Sequence, residues 1–350
     1  IESSQYINGP AVKEFTSNLA KYLSVNHVIP CANGTDALQV ALMALDLEPG
    51  DEVITTDFTF ASSVEVIALL GLKPVLVDVE IDTFNIDTDK ISNAITKNTK
   101  AIIPVHLFGQ TAEMDKIMQI AKQNNLYVIE DNAQAIGSVY TSAKNGQTKA
   151  GTIGHIGTTS FFPSKNLGCY GDGGAIFTND DHLANKMKGL VNHGMYKRYH
   201  HDLVGINSRL DSIQAAILNI KLNNIDKYNR SRRNSAMIYN DLINSSDIIK
   251  PTIKYNDDSH VFHQYTLRLT NGMRDEMVNY LNENNVPCGI YYPIPLHSQN
   301  AYKSVDYRES DFEVTNKISK EVFSLPMHSE LDNEQQNHIS DLINQFVSKS

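Results

Sequence analysis

The chain has 350 residues, of which 41% are hydrophobic, and its formal net charge at pH 7 is −10. This length suits two domains, and the composition supplies enough apolar side chains for a sizeable core. The acidic balance and the lack of a Lys/Arg-rich run argue against a nucleic-acid-binding protein, which needs a basic face to neutralise phosphates.

The first two thirds of the chain alternate strand-like and helix-like segments. Short apolar runs rich in β-branched residues, typical of strands buried on both faces, predict strands at 51–55, 73–79, 100–106 and 126–130. Helical patterns lie between and around them, at 35–47, 62–70, 88–95 and 113–124. Two hairpin-like pieces follow around 160–162 and 174–178. Repeated strand–helix units predict an α/β fold with a mainly parallel central sheet and helices on both faces.

The last third of the chain has a different pattern. From 208 to about 244 it is helical and long enough to join two domains. Beyond it, we predict a strand, a helix, a strand and a final helix, at 262–269, 274–284, 289–292 and from about 333. These elements suit a small α+β domain. We therefore expect a large domain over 1–225 and a small C-terminal domain over 226–350.

The three cysteines are Cys31, Cys169 and Cys288. They lack the spacing of metal ligands, and an odd number does not form a disulfide framework. No apolar run approaches membrane-spanning length, and no signal-peptide pattern opens the chain. We expect a cytoplasmic protein that uses no metal ion and binds no membrane.

The first candidate site is a turn of small residues between a strand at 27–30 and the next helix. Gly34 allows close approach to the backbone, and Thr35 adds a hydroxyl group. The helix N-terminus offers free N–H groups and a partial positive charge, which suits a phosphate group. The alternative is an ordinary capped helix, with Thr35 or Asp36 as the cap.

The second candidate site is the segment 130–134, at the carboxyl end of an apolar strand. Ligands of open α/β sheets bind at that end. Asp131 is able to pair there with a protonated ring nitrogen. The alternative is a surface carboxylate that caps the next helix.

The third candidate site is Lys165, in a turn between apolar strands and close to several glycines. A lysine that forms a covalent bond to a carbonyl carbon must be neutral, and partial desolvation lowers its pKa. Ser160, five residues earlier, is able to reach the same phosphate group as Thr35. The alternative for any single lysine is a solvated surface position.

The fourth candidate site lies at the start of the long helical region. Asn207 precedes it, and Arg209 suits bidentate binding of a carboxylate or phosphate group. Arg209 could instead pair with Asp211. The cluster 197–201, which contains Arg198 and His200, is either a second clamp for an anionic substrate or a mobile surface loop.

Taken together and in this order, the four sites resemble those of the DegT/StrS sugar-nucleotide aminotransferases, which are fold-type-I pyridoxal-phosphate-dependent transferases. The resemblance runs from QYINGP at 5–10 to SLPMH at 324–328. Within the family it is strongest to the branch that forms 3-amino sugars, in the stretches 160–180, 198–218 and 291–297. These stretches look most like UDP-2-acetamido-2-deoxy-3-oxo-glucuronate aminotransferases, which use L-glutamate and serve the biosynthesis of surface polysaccharide, including lipopolysaccharide.

The resemblance implies roles for individual residues. Lys165 would be the catalytic lysine that bonds the cofactor, pyridoxal 5'-phosphate. Asp131 would contact the ring nitrogen of the cofactor, and Gln134 its ring hydroxyl. Phe60 would stack on the face of the ring. The phosphate group would be bound by Gly34, Thr35 and Ser160. Asn207 would reach the phosphate of the neighbouring subunit's cofactor, which implies a homodimer with shared active sites. The candidate substrate contacts are Arg209, which would also cross the interface, and Tyr292, Arg198 and His200.

Several alternatives share part of this pattern. A dTDP-3-oxo-6-deoxyhexose 3-aminotransferase has overlapping motifs. Sugar dehydratases that resemble this family replace the catalytic lysine with histidine, so Lys165 disfavours them. Some members were proposed to be non-catalytic regulators, but no added DNA-binding segment or basic patch supports that here. A dinucleotide-binding dehydrogenase would suit the strand–helix alternation, yet no G-x-G-x-x-G follows the first strand.

Overall fold

A computed structural model describes residues 4–143, 146–304 and 306–349. The α-helices in these ranges are α1 Pro10–Leu23, α2 Gly34–Met43, α3 Ser62–Leu69, α4 Thr88–Ala94, α5 Met114–Asn124, α6 Asp181–Leu190, α7 Ser212–Leu222, α8 Ile225–Leu242, α9 Arg274–Glu283, α10 Glu313–Glu321 and α11 Asn333–Lys349. The strands are β1 His27–Cys31, β2 Glu52–Thr56, β3 Lys73–Val77, β4 Thr99–Ile103, β5 Tyr127–Asp131, β6 Val139–Ser142, β7 Gly146–Lys149, β8 Ile156–Ser160, β9 Gly174–Thr178, β10 Met195–Lys197, β11 His200–His201, β12 Ile248–Ile249, β13 Tyr265–Leu269 and β14 Val322–Leu325.

The central sheet has the strand order β1-β9-β8-β5-β4-β2-β3. The pairs β2–β3, β2–β4, β4–β5 and β5–β8 are parallel. β9 runs antiparallel to both of its neighbours, β1 and β8. The prediction of a mainly parallel sheet is confirmed. The predicted hairpin-like piece at 174–178 is β9, whereas the piece at 160–162 overlaps its partner β8 only at Ser160.

Helices cover both faces of this sheet. Successive strand residues point to opposite faces, so each inner strand packs against both helical layers. On β4, Ala101 and Ile103 pack with α2, α3 and α6, whereas Ile102 packs on the other side with α5. Helices α1 and α7 extend that second layer over β1 and β9. Buried on both faces, the inner strands are almost continuously apolar, which is why the sequence pattern reveals them.

The C-terminal part of the chain has its own small sheet and core. Strands β12, β13 and β14 form an antiparallel sheet. Its core contains side chains from α8, α9 and α11. Helix α8 joins the two regions, because Ile225 packs in the core beneath α1, whereas Tyr239 packs in the C-terminal core. A domain boundary near residue 225 stays a prediction.

One predicted helical region is divided in two, and one predicted strand is wrong. The long helical region is two helices, α7 and α8, interrupted at Asn223 and Asn224. The Asn224 side chain donates a hydrogen bond to the Ile220 carbonyl oxygen, and such local bonds compete with helix propagation. The predicted strand at 289–292 is reduced to a single bridge between Gly289 and Ser324.

Ser324, the partner of Gly289 in that bridge, belongs to β14. This strand follows α10, and neither element is predicted from the sequence. The prolines at 287, 293 and 295 explain why 289–292 does not continue as a strand, because proline donates no ladder hydrogen bond. Among the described residues, no helix is both long and apolar enough to span a membrane.

Candidate active site

Asp131 ends β5 at the carboxyl edge of the sheet and is buried, with 5% of its surface exposed. Its Oδ2 accepts a hydrogen bond from Ser63 Oγ at 2.9 Å, and its Oδ1 accepts one from the Ala133 N–H at 3.1 Å. It is therefore not a surface carboxylate. Sequence reasoning missed Ser63, because its place opposite Asp131 depends on how α3 packs.

Lys165 lies in the loop between β8 and β9, partly buried. Desolvation lowers the pKa of its amine from 10.5 to about 8, although the negative charge of Asp131 acts in the opposite direction. The two side chains are thus within electrostatic reach. The neighbouring Asn166 anchors this loop by donating hydrogen bonds to Asn229 Oδ1 at 2.8 Å and to the Val261 carbonyl oxygen at 3.0 Å. The site holds an amine that becomes neutral near physiological pH.

The turn before α2 packs directly against the end of β8. The helix is capped by Asn33, whose Oδ1 accepts a hydrogen bond from the Asp36 N–H at 2.8 Å, so neither Thr35 nor Asp36 is the cap. A Cβ atom at Gly34 would lie 2.7 Å from the Cβ of Ser160, which leaves no room for a side chain. Glycine is therefore required here, and the α2 N-terminus, Thr35 and Ser160 form one small region.

Both the oxygen and the nitrogen of the Gln134 side-chain amide form hydrogen bonds. Its Oε1 accepts a hydrogen bond from the Phe108 N–H at 2.7 Å, and its Nε2 donates to the Tyr292 hydroxyl at 3.2 Å. The Tyr292 ring contacts Phe58 and Phe60, with centroid separations of 5.8 and 6.4 Å. Phe60 itself is 57% exposed. Gln134 keeps one N–H for a further partner, and its bond to Tyr292 was not foreseen from the sequence.

The segment around Arg209 adjoins the turn before α2, since Ser208 Oγ accepts a hydrogen bond from the Ala32 N–H at 3.0 Å. Arg209 Nη2 donates to Asn192 Oδ1 at 3.5 Å. Its buried Nε has no hydrogen-bond partner within the described ranges, and no ion pair joins it to Asp211 there. Asn207 is exposed on the same segment. Arg209 thus has unused donor capacity beside the candidate phosphate site.

Arg198 and His200 are exposed on the β10–β11 hairpin. Arg198 Nη2 donates to the Tyr199 hydroxyl at 3.0 Å, and its guanidinium lies 4.9 Å from the centre of that ring. Neither residue forms a hydrogen bond or an ion pair with Lys165 or Asp131 in the part of the chain described.

A buried aspartate at a parallel strand end, a lysine of lowered pKa within its electrostatic reach and a helix N-terminus that packs closely at a glycine are the features expected of a pyridoxal-phosphate-dependent transaminase. The comparisons with known proteins agree. The chain belongs to the DegT/DnrJ/EryC1/StrS aminotransferase family, whose model matches residues 1–344.

Three curated relatives illustrate the range of names in this family. A pleiotropic regulatory protein of Geobacillus stearothermophilus is 45% identical, over 99% of this chain and 92% of the relative. A UDP-2-acetamido-2-deoxy-3-oxo-D-glucuronate aminotransferase of Pseudomonas aeruginosa is 45% identical, over 95% and 89%. A dTDP-3-amino-3,6-dideoxy-alpha-D-galactopyranose transaminase of Aneurinibacillus thermoaerophilus is 42% identical, over 99% and 93%.

Solved structures share the whole fold. A DegT DnrJ EryC1 StrS aminotransferase from Brucella abortus has a TM-score of 0.93 and 40% identity, covering 99% of this chain and 92% of that one. NtdA from Bacillus subtilis, solved with bound cofactor PMP, has a TM-score of 0.90 and 32% identity, over 99% and 79%. This chain is a sugar-nucleotide aminotransferase of the pyridoxal-phosphate-dependent class.

Proposed function

We propose that the protein transfers the amino group of L-glutamate to the 3-keto group of UDP-2-acetamido-2-deoxy-3-oxo-glucuronate. The observation that carries the choice of sugar is the half-buried Arg209, whose guanidinium makes one hydrogen bond within the described ranges, to Asn192 Oδ1 at 3.5 Å. A guanidinium with free donors suits a carboxylate, and this sugar carries one as its uronate. The relative from Pseudomonas aeruginosa that bears this activity in its name supports the proposal.

Pyridoxal phosphate fits the groups that surround the site, and when bound it supplies an electron sink for the carbon that carries the amino group. Lys165 would bond the cofactor and then, as a free amine of lowered pKa, remove and return the proton at that carbon. Asp131, fixed by Ser63, would hold a proton on the ring nitrogen. The remaining N–H of Gln134 would donate to the ring hydroxyl.

The other cofactor contacts would come from two regions. The N-terminus of α2 with Thr35 and Ser160 would bind the phosphate group, because Gly34 lets the backbone approach closely. Phe60 would cover a face of the ring. Tyr292 adjoins both Gln134 and Phe60, so it would line the pocket on the side where the substrate enters.

We also propose a homodimer in which Asn207 and Arg209 reach the partner's active site, as would Arg198 and His200. Large apolar side chains are exposed on the segments that carry the candidate site, and such surface is typical of an interface. They are Phe60, Phe162, Tyr170, Tyr199 and Val204, with exposures of 57, 51, 72, 76 and 90%. We further propose that the enzyme works in the cytoplasm for surface polysaccharide, such as lipopolysaccharide.

The lowered pKa of Lys165 predicts how the rate of cofactor attachment depends on pH. Only the neutral amine forms the covalent bond, so the rate of attachment to cofactor-free protein should rise with pH and level off above a midpoint near 8. The rate is followed by visible absorption after mixing, at a fixed concentration of pyridoxal phosphate. A midpoint near the unperturbed value of 10.5 would show that the site does not desolvate this lysine.

The role of Arg209 predicts a difference between two acceptor sugars. Replacing it by alanine should lower kcat/KM for the uronate sugar by about 10²-fold, because a desolvated charged hydrogen bond is lost. For the matching 3-keto sugar without a carboxylate, the loss should stay below about fivefold. Arg198→Ala, on the exposed hairpin, is tested in parallel.

The same measurement tests the second candidate function. A dTDP-3-oxo-6-deoxyhexose lacks the uronate, and the 42% identical transaminase that forms dTDP-3-amino-3,6-dideoxygalactose favours that acceptor. Two results together would favour the deoxyhexose over the uronate as the acceptor. Arg209→Ala would lower kcat/KM equally for the uronate sugar and for the dTDP sugar, and the wild-type enzyme would have the higher kcat/KM with the dTDP sugar.

A further inference from the structure

Two segments that line the candidate cofactor pocket are joined by a buried acid–histidine pair. Asp57 follows β2 directly and is fully buried, and His297 is 6% exposed. Asp57 Oδ2 lies 2.7 Å from His297 Nδ1, and Asp57 Oδ1 accepts a hydrogen bond from the His297 N–H at 2.7 Å. The Asp57 carbonyl oxygen also accepts one from the Leu296 N–H at 3.2 Å. These contacts bind the end of β2 to residues 296–297.

Each partner of this pair stands next to an aromatic side chain of the pocket. Asp57 precedes the segment that carries Phe58 and Phe60, and His297 lies five residues after Tyr292. Phe58 and Phe60 contact the Tyr292 ring, which in turn presents its hydroxyl to Gln134. The pair therefore ties together the two loops whose aromatic rings meet beside Gln134.

The surroundings of the pair make it costly to break. His297 stacks on the buried ring of Phe312, with centroids 4.3 Å apart and planes 9° from parallel. Its Nε2 faces Glu309 at 3.5 Å. Burial raises the pKa of Asp57 to about 6, although the hydrogen bonds from His297 act in the opposite direction. Removing one partner would leave the other buried without compensation.

A second buried aspartate offers a matched comparison. Asp78 follows the adjacent strand β3, and its carboxylate accepts hydrogen bonds from the Val314 N–H, the Thr315 N–H and the Thr315 hydroxyl. It anchors the start of α10 and makes no hydrogen bond to residues 289–297. Asp57 and Asp78 are thus similar in burial and chemistry, but only Asp57 holds the segment that carries Tyr292.

We propose that Asp57 and His297 are positioning residues of the transaminase site, which hold the Tyr292 segment against Gln134 and Phe60 so that the cofactor ring is enclosed. The inference rests on the proposed function of this pocket. The pair does not touch the reacting atoms and acts through Tyr292 and Phe60. Because His297 bonds through Nδ1, asparagine at 297 is able to place a donor at a similar position, whereas alanine is not.

The test compares Asp57→Asn, His297→Ala and His297→Asn with Asp78→Asn. Amide hydrogen exchange is measured on the cofactor-free proteins, and pyridoxal phosphate affinity is measured by absorption titration. We expect Asp57→Asn and His297→Ala to speed exchange within 289–299 and to weaken cofactor binding by about tenfold or more. His297→Asn should recover most of the affinity. Asp78→Asn should speed exchange within 313–321 and change the affinity by less than about threefold.

Tyr292→Phe tests the same inference without disturbing the pair. It removes only the hydroxyl that contacts Gln134, and it should weaken cofactor binding while leaving exchange within 289–299 unchanged. Equal affinity losses in the Asp57 and Asp78 variants, or unchanged exchange within 289–299 in His297→Ala, would overturn the positioning role. If the wild-type protein bound no pyridoxal phosphate, the proposed function would fail instead, while the exchange data would still report on the pair.

Discussion

Replacing Lys165 by alanine is expected to abolish turnover, with a loss of at least about 10⁴-fold in kcat. On the proposed mechanism, the variant would lose both the amine that bonds the cofactor and the base that moves the proton. The effect is measured as the rate of 2-oxoglutarate release from L-glutamate in the presence of the keto sugar. Borohydride reduction followed by peptide mass spectrometry should locate the cofactor on the peptide that contains Lys165 in the wild-type protein only.

Lys149→Ala is the matched control for this substitution. Burial lowers the pKa of Lys149 as well, but its amine lies over the ring of Tyr22, 4.2 Å from the centroid, and its charged neighbours are Asp226, Asp258 and Arg233 rather than Asp131. It should keep its turnover within about twofold of the wild type, as a substitution away from the chemistry does. Turnover of Lys165→Ala at the level of this control would contradict the assignment of the catalytic lysine.

Replacing Asp131 by asparagine is expected to lower kcat by about 10²–10³-fold, the range typical for removing one preorganised electrostatic group. Asparagine keeps the size of the side chain and a hydrogen-bonding oxygen, but it carries no charge to keep a proton on the ring nitrogen. Steady-state kinetics with L-glutamate measure the loss, and absorption shows whether the cofactor is still bound.

Ser63→Ala separates the charge of Asp131 from its orientation. Ser63 donates to Asp131 Oδ2, so its removal leaves the carboxylate in place with one fewer hydrogen bond. A charged hydrogen bond contributes about 1.5–3 kcal/mol, and we expect the loss in kcat to be clearly smaller than in Asp131→Asn. An Asp131→Asn enzyme within about threefold of the wild type would show that this carboxylate does not hold the ring proton.

The strands of the central sheet could be predicted because burial on both faces leaves an apolar signature. The run at 126–130 corresponds to β5 Tyr127–Asp131 and the run at 51–55 to β2 Glu52–Thr56, each shifted by one residue. β14 could not be found, because Val322–Leu325 follows α10 without a turn signal and pairs with β13 from far along the chain. Its pairing depends on tertiary packing, which local propensity does not encode.

The candidate site could be proposed from the sequence where a residue of suitable chemistry stands in a distinctive local setting. Lys165, Asp131 and Gly34 stand at turns or strand ends that the pattern locates, and the structure brings Lys165 within electrostatic reach of Asp131. Ser63 and His297 were missed, because each acts on a residue distant in sequence, Asp131 and Asp57 respectively. Such contacts depend on how helices and loops pack at the sheet edge, and a single sequence carries no local signal for them.

The most direct test of the central claim is the visible absorption of the protein purified with pyridoxal phosphate, recorded before and after the addition of L-glutamate. We predict that the band of the Lys165-bound cofactor disappears and that 2-oxoglutarate is released in an amount equal to the bound cofactor. The keto sugar should then restore the band. A band that glutamate leaves unchanged, with no 2-oxoglutarate formed, would contradict a glutamate-dependent transaminase, and the absence of any band would contradict the role of Lys165.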